Sequence, residues 1–284
     1  MPFYCNKFHV ISSESDIFHS NKIGANMSEM GKSVVVAPAL MDAPDREKLV
    51  DELYLVHCDI FDGVSKEDFA SYVVYSKANE TRILIHKNAQ GQSVGYCAIH
   101  FFEQNLEGRQ STVIRMEAGL MRAYRGKNRN APFVCRQVLA YRLTRPGRRV
   151  YYLGALVHPS SYMLLDKYAT RVWPSAQQSS ELDYGGVIGQ LARLFGLKPV
   201  DPDKPGVVHV GWQTRDNEGD RKQWQASANS AAQFYIHRNP GYTKGHGLLT
   251  LVPVTLGCMA HATGRMVLNR LSRLFAPHPH GHRG

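Results

Sequence analysis

No apolar run in this chain approaches the ~20 residues needed to cross a bilayer, which excludes a membrane-spanning helix on sequence grounds. A basic segment followed by an apolar one is also missing from the start, MPFYCNKFHVISSESD, so no signal peptide is expected. The five cysteines (Cys5, Cys58, Cys97, Cys135 and Cys258) are scattered, odd in number and without CxxC spacing. That speaks against zinc and against a disulfide scaffold, and for buried thiols in a reducing, cytoplasmic setting. A P-loop is lacking too. The stretch from Gly24 to Ser33 imitates one, but its first glycine falls two residues early and no strand precedes it. Acidic residues are the minority, 24 against 34 basic, giving a net charge of +10 and a pI near 9.4. Such a balance favours anionic partners. Hydrophobic content of 43% with 20% charged residues describes a globular protein with ample chain for one large domain.

What is present concentrates around residues 113–130, VIRMEAGLMRAYRGKNRN. A period-two apolar segment from Val113 to Met121 runs into Tyr124-Arg125-Gly126-Lys127-Asn128-Arg129-Asn130, and a helical pattern starts at Ala131. A strand feeding a basic, Gly/Asn-bearing turn at a helix N-terminus makes an anion cradle. Backbone N–H groups point outward there, the helix dipole favours negative charge, and Arg and Lys add full charges. A phosphate or pyrophosphate suits it; an exposed basic turn without a ligand is the alternative. Many further arginines, from Arg109 to Arg149, crowd around this turn. The aromatics sit mainly in strand-like runs, which makes nucleic acid an unlikely partner.

The surrounding order is legible. Residues 1–44 are irregular, and Leu49, Leu53, Val56, Ile60 and Phe61 recur at helical spacing over 45–64. Strands at 82–86 and 94–101 flank the turn Asn88-Ala89-Gln90-Gly91, and a third, at 112–121, follows the turn Asn105-Leu106-Glu107-Gly108. A helix covers 131–144, a strand 150–157 and a short helix 160–170. Asn130 is placed to cap the first of these helices, with Pro132 in its first turn.

That order, with a basic turn in that place, resembles the GNAT superfamily of acyl-CoA-dependent N-acyltransferases. Their pyrophosphate signature after the fourth strand reads Arg/Gln-x-x-Gly-x-Gly/Ala, and many members show Tyr-Arg-Gly-Lys-Gly. Tyr124-Arg125-Gly126-Lys127 fits the local form, and Ser161 and Tyr168 stand at the seven-residue spacing at which many members keep an Asn and a Tyr. The resemblance covers about 45–175. Two departures concern the donor site: the later glycines are Asn128 and Asn130, and no Gly-Phe follows Tyr168. Asn is the non-glycine residue that best tolerates a left-handed backbone. The resemblance implies a mixed α/β fold with a mostly antiparallel central sheet flanked by helices. The donor it implies is acyl-CoA, or an acyl group on the phosphopantetheine arm of an acyl carrier protein, with no metal.

By the same resemblance, Arg125, Gly126, Lys127, Asn128, Arg129, Asn130 and Ser161 hold the donor. The backbone of Leu120 and Met121 bonds the pantetheine and polarises the thioester carbonyl, Tyr168 protonates the leaving thiolate, and Glu117 serves as the base. Each has a plainer reading: Tyr168 as a core aromatic, Glu117 as an ion-pair partner of Arg115. Cys135 near a helix start is either a dipole-activated nucleophile or a core thiol, and His100 is either a satisfied core histidine or a base.

The C-terminal third is assigned as insertions at 175–205 and 213–230 on a domain ending at 254, then an amphipathic helix at 255–275 and a His/Pro tail. Val207–Trp212, Ala232–His237 and Leu248–Val254 read as strands, the first two as the sixth and seventh of the sheet; Gly186–Phe195 reads as a helix. The last helix either packs on the sheet or makes a peripheral membrane or carrier-protein contact. The function implied is N-acyl transfer to an amine of unspecified identity. An acyl-CoA-binding or protein-interaction module without activity is the rival reading, and a basic nucleic-acid binder a more distant one.

Overall fold

The computed structural model describes residues 29–125, 129–176, 185–203 and 206–274. Gly126, Lys127, Asn128 and the His/Pro tail lie outside the described residues, as does most of the segment assigned as irregular. In chain order the elements are β1 (Val34–Val36), α1 (Ala43–Ile60), β2 (Phe61–Asp62), α2 (Lys66–Val73), β3 (Glu80–Lys87), β4 (Ser93–Leu106) and β5 (Arg109–Leu120). Then come α3 (Ala131–Thr144), β6 (Arg149–Leu156), α4 (Pro159–Tyr168), α5 (Gly185–Leu194), β7 (Val207–His209) and β8 (Gln213–Thr214). The chain closes with α6 (Glu218–Gln225), α7 (Ser230–Arg238), β9 (His246–Pro253) and α8 (Leu256–Leu274). The main sheet runs β1-β3-β4-β5-β6-β9-β7, antiparallel at every pairing except β5–β6; β2 and β8 form a second, two-stranded sheet.

Local chemistry explains the ends of these elements. Asp42 caps α1, accepting from the Asp45 amide at 2.8 Å, with Pro44 in the first turn. The β3–β4 turn is held by the Asn88 side chain, which accepts from the amides of Gln90 (3.1 Å) and Gln92 (2.8 Å). Glu107 and Gly108 take φ of 52° and 73°, a two-residue turn that pairs Leu106 with Arg109 and sets the β4–β5 register.

Strand alternation divides the core between two layers of helices. Cys97, Ile99 and Phe101 of β4 and Tyr152 and Leu156 of β6 pack beneath α3, α4, α7 and α8. On the opposite face, Tyr96 and Ala98 of β4 meet α1 and α2, while Tyr151 and Leu153 of β6 meet Val187, Ile188 and Leu191 of α5. Much of 185–194 is therefore core, and Val34–Val36 pairs with β3 inside the stretch expected to be irregular.

One strand assignment is corrected. Residues 232–237 are helical, because Asn229 caps the Ala232 amide at 3.1 Å and the 3.6-residue period then buries Ala231, Ala232 and Tyr235. Ala-Ala-Gln-Phe-Tyr-Ile carries a strand-like run that the cap overrides. The strand beside β6 is β9, with β7 at the edge. No described helix is long and apolar enough to cross a membrane.

His57 of α1 is buried, its Nδ1 2.9 Å from the Tyr96 hydroxyl and its ring against Phe69 and Trp212. Burial pushes its pKa down to about 4. The unfolded chain, with an ordinary histidine, then takes up this proton first, so stability is full above about pH 6.5 and is lost as pH falls toward 4. The expected loss from this group is roughly 3 kcal/mol. Urea midpoints at pH 7 and pH 4.5 should show the fall, and His57→Gln should reduce it; an equal fall in the variant would refute this source.

Candidate active site

The pairing pattern opens the sheet at one seam. β5 and β6 are paired only from Ser111–Arg149 to Ile114–Tyr152, whereas β5 continues against β4 to Leu120 and β6 continues against β9 to Leu156. The Met121 amide donates to the Val94 carbonyl, so by alternation the backbone groups of Met116, Ala118 and Leu120 face the seam. The Val254 amide donates to the Val150 carbonyl, which places those of Leu153, Ala155 and Val157 on the seam's other edge.

A cavity of about 400 Å³ occupies this opening. Met116, Ala118 and Cys97 line it on the α3/α4 face of the sheet, Arg115 and Glu117 on the α1 face, so it passes through the sheet. Of the residues singled out from sequence, Glu117, Asn130, Ser161 and Tyr168 all reach it. Tyr168, half-buried at the end of α4, accepts a long hydrogen bond from Asn269 Nδ2 of α8 (3.4 Å). Ser161 is fixed by its amide, which donates to the His158 carbonyl at 3.1 Å. Cys135 also lines the cavity, but burial raises its thiol pKa, which removes the case for an activated nucleophile.

Glu117 does not pair with Arg115. The register sets His100 across from Arg115 and diagonal to Glu117, and Glu117 Oε2 lies 2.9 Å from His100 Nε2. His100 is 1% exposed and its Nδ1 is 2.9 Å from the Thr81 hydroxyl. The Arg115 guanidinium sits 5.0 Å over the Phe195 ring instead. Glu117 thus lies against a buried histidine that sequence reasoning had not linked to it.

The donor-side assignments need three corrections. Met121 cannot polarise a carbonyl, because its amide is already bonded to Val94. The Leu120 carbonyl accepts from Arg125 Nε at 2.9 Å, and Leu120 does not line the cavity; the seam-facing β5 positions that do are Met116 and Ala118. Asn130 has right-handed backbone (φ −80°, ψ −27°) and makes no cap; its side-chain oxygen is 2.7 Å from Nε2 of buried His86, whose other nitrogen meets the Ser33 hydroxyl at 3.1 Å. The α3 N-terminus consequently has neither a side-chain cap nor an acidic residue in its first turn. Arg129 Nε is buried there without a hydrogen-bond partner among the described residues. An orphan donor beside an uncapped helix N-terminus fits an anion.

No protein-family model matches the sequence, and a search of the curated proteins found none similar. Solved structures do resemble it. A GNAT-family acetyltransferase from Streptococcus pneumoniae is 9% identical with a TM-score of 0.33, covering 52% of this chain and 93% of that one. A GCN5-related N-acetyltransferase from Kribbella flavida is 12% identical with a TM-score of 0.31, covering 78% and 98%. A conserved protein of unknown function from Enterococcus faecalis, described as a probable N-acyltransferase, is 13% identical with a TM-score of 0.31; the match covers 48% of this chain and 31% of that one. The architecture itself is mixed α/β. Its basis in this chain is the mostly antiparallel sheet, flanked by helices on both faces and opened between β5 and β6.

Proposed function

We propose that this protein is an N-acyltransferase that moves an acyl group directly from a pantetheine thioester, carried by CoA or by an acyl carrier protein, to an amine. One observation carries the reading: a single cavity threads the seam, with Tyr168 reached from the helix face and Glu117 from the opposite face. Two substrates entering from opposite sides then meet in the plane of the sheet, which turns a bimolecular reaction into a positioned one.

The amine nitrogen attacks the thioester carbon, forming a C–N bond. Glu117 takes the nitrogen's proton, directly or through water. Seam-facing amides of β5, at Met116 and Ala118, replace Met121 as donors to the developing oxyanion. The C–S bond breaks, and Tyr168 gives its hydroxyl proton to the departing thiolate. On the donor side Arg125, Gly126, Lys127, Asn128 and Arg129 form the cradle, with Asn130 and Ser161 at its inner edge, and the uncapped α3 N-terminus and Arg129 Nε receive the pyrophosphate or phosphate. The four described cysteines are free thiols, which supports the cytoplasm as the compartment.

Incubation with acyl-CoAs of increasing chain length, with and without an amine panel, should release free thiol in an amine-dependent manner. CoA binding without thiol release under any pairing would support a silent binding module instead.

A further inference from the structure

The geometry points to an acceptor that is a monoamine carried on an apolar, flat body, received in an aromatic recess on the Glu117 side of the cavity. This rests on the acyl-transfer reading above. The recess is built by Phe61, Tyr72 and Trp212, all on the cavity wall. Phe61 lies over the same face of β5 as Glu117: a Cβ at Gly119, two residues along, would come within 2.8 Å of the Phe61 ring, so glycine is what admits it. Trp212 is 5.9 Å from Phe61 and stands edge-on to Tyr72 at 6.3 Å. Tyr72 is 49% exposed, which puts this end of the cavity at the surface.

The recess is held in place before any ligand arrives. Gly63 (φ +98°) and Gly211 (φ +85°) let two backbones touch, since a Cβ at Gly63 would meet the Gly211 carbonyl oxygen. Phe61 pairs with Thr214 and Asp62 with Gln213. The chain after Trp212 is then pinned three times, by Arg215 to Asp62, by Asp216 to His158 (3.0 Å) and by Asp220 to Arg122 (2.7 and 2.8 Å). Tying 211–220 to three separate elements fixes the Trp212 ring at the mouth.

Charge decides the class of guest. Among the described residues that line the cavity, Glu117 is the one carboxylate and Arg115 the one other formally charged group. A polyamine would bring a second ammonium with no carboxylate to receive it, and burying it unpaired is costly. A single ammonium is served by the ring faces and by Glu117, and its body by the same rings.

Calorimetry on the full chain tests this, titrating phenethylamine and spermidine into CoA-saturated protein, with CoA into protein as a separate titration. Phenethylamine should bind about tenfold more tightly than spermidine. Trp212→Ala should weaken it about tenfold, the worth of one desolvated ring contact, with CoA affinity unchanged. Should Trp212→Ala fail to fold, Tyr72→Ala at the exposed mouth gives the same reading. Tighter spermidine binding, no amine binding, or phenethylamine affinity untouched in a folded variant overturns the proposal. Failure of CoA itself to bind is seen in the separate titration and counts against the acyltransferase reading.

Discussion

Tyr168→Phe is expected to lower kcat by roughly 10²–10⁴-fold, the range for a positioned acid. Phenylalanine keeps the ring that fills the cavity wall and removes only the proton given to sulfur, so the loss should fall on kcat with KM little changed. Stability should hardly move. The hydroxyl accepts from Asn269 Nδ2 at 3.4 Å, at the long end of hydrogen bonding, and the side chain is only half-buried. Asn269→Ala, which leaves the hydroxyl in place, should cost far less turnover. A destabilised Tyr168→Phe protein with kcat intact would make Tyr168 a packing residue, and the protonation step would have to be assigned elsewhere.

Glu117→Gln carries the second large effect, a fall of roughly 10²–10³-fold in kcat/KM near neutral pH. Glutamine preserves the volume and still reaches His100, so the sheet register should survive. The acceptor arrives mostly as an ammonium ion, and without the carboxylate only its small neutral fraction reacts. The deficit should therefore shrink as pH rises toward the amine's own pKa. Steady-state rates from pH 6.5 to 9.5 would show this convergence. Parallel profiles for wild type and variant, or no fall at all, would remove Glu117 from the proton path and leave it as a buried partner of His100.

Much of this arrangement was readable before the structure. The strand and the helix on either side of the basic segment were legible because alternation and Pro132 at a helix start each carry a local signature, and the resemblance then marked Glu117 and Tyr168, which share a cavity. The Glu117–His100 contact was within reach but not drawn. A two-residue turn at Glu107-Gly108 fixes the pairing of His100 with Arg115, and Glu117 is then its neighbour on the same face. The seam was not legible, since where two strands part depends on what fills the gap rather than on either strand's sequence. Nor was the α7 helix, where Phe234-Tyr235-Ile236 looks strand-like until Asn229 is seen as its cap. Of the two donor-backbone positions, Leu120 has the parity that faces the seam and Met121 does not, because parity along β5 is set by pairing with β4.

The claim on which the rest stands is that the seam between β5 and β6 receives a CoA-type donor. Ala118 is exposed and lines the cavity on the donor face, so Ala118→Trp fills the opening without burying a misfit in the core. Calorimetric titration of CoA into the wild-type protein should give one site, and the same titration into Ala118→Trp should give none, with thermal melting temperature unchanged. Wild-type protein that does not bind CoA, or an Ala118→Trp protein that binds it as well as wild type does, would contradict the account.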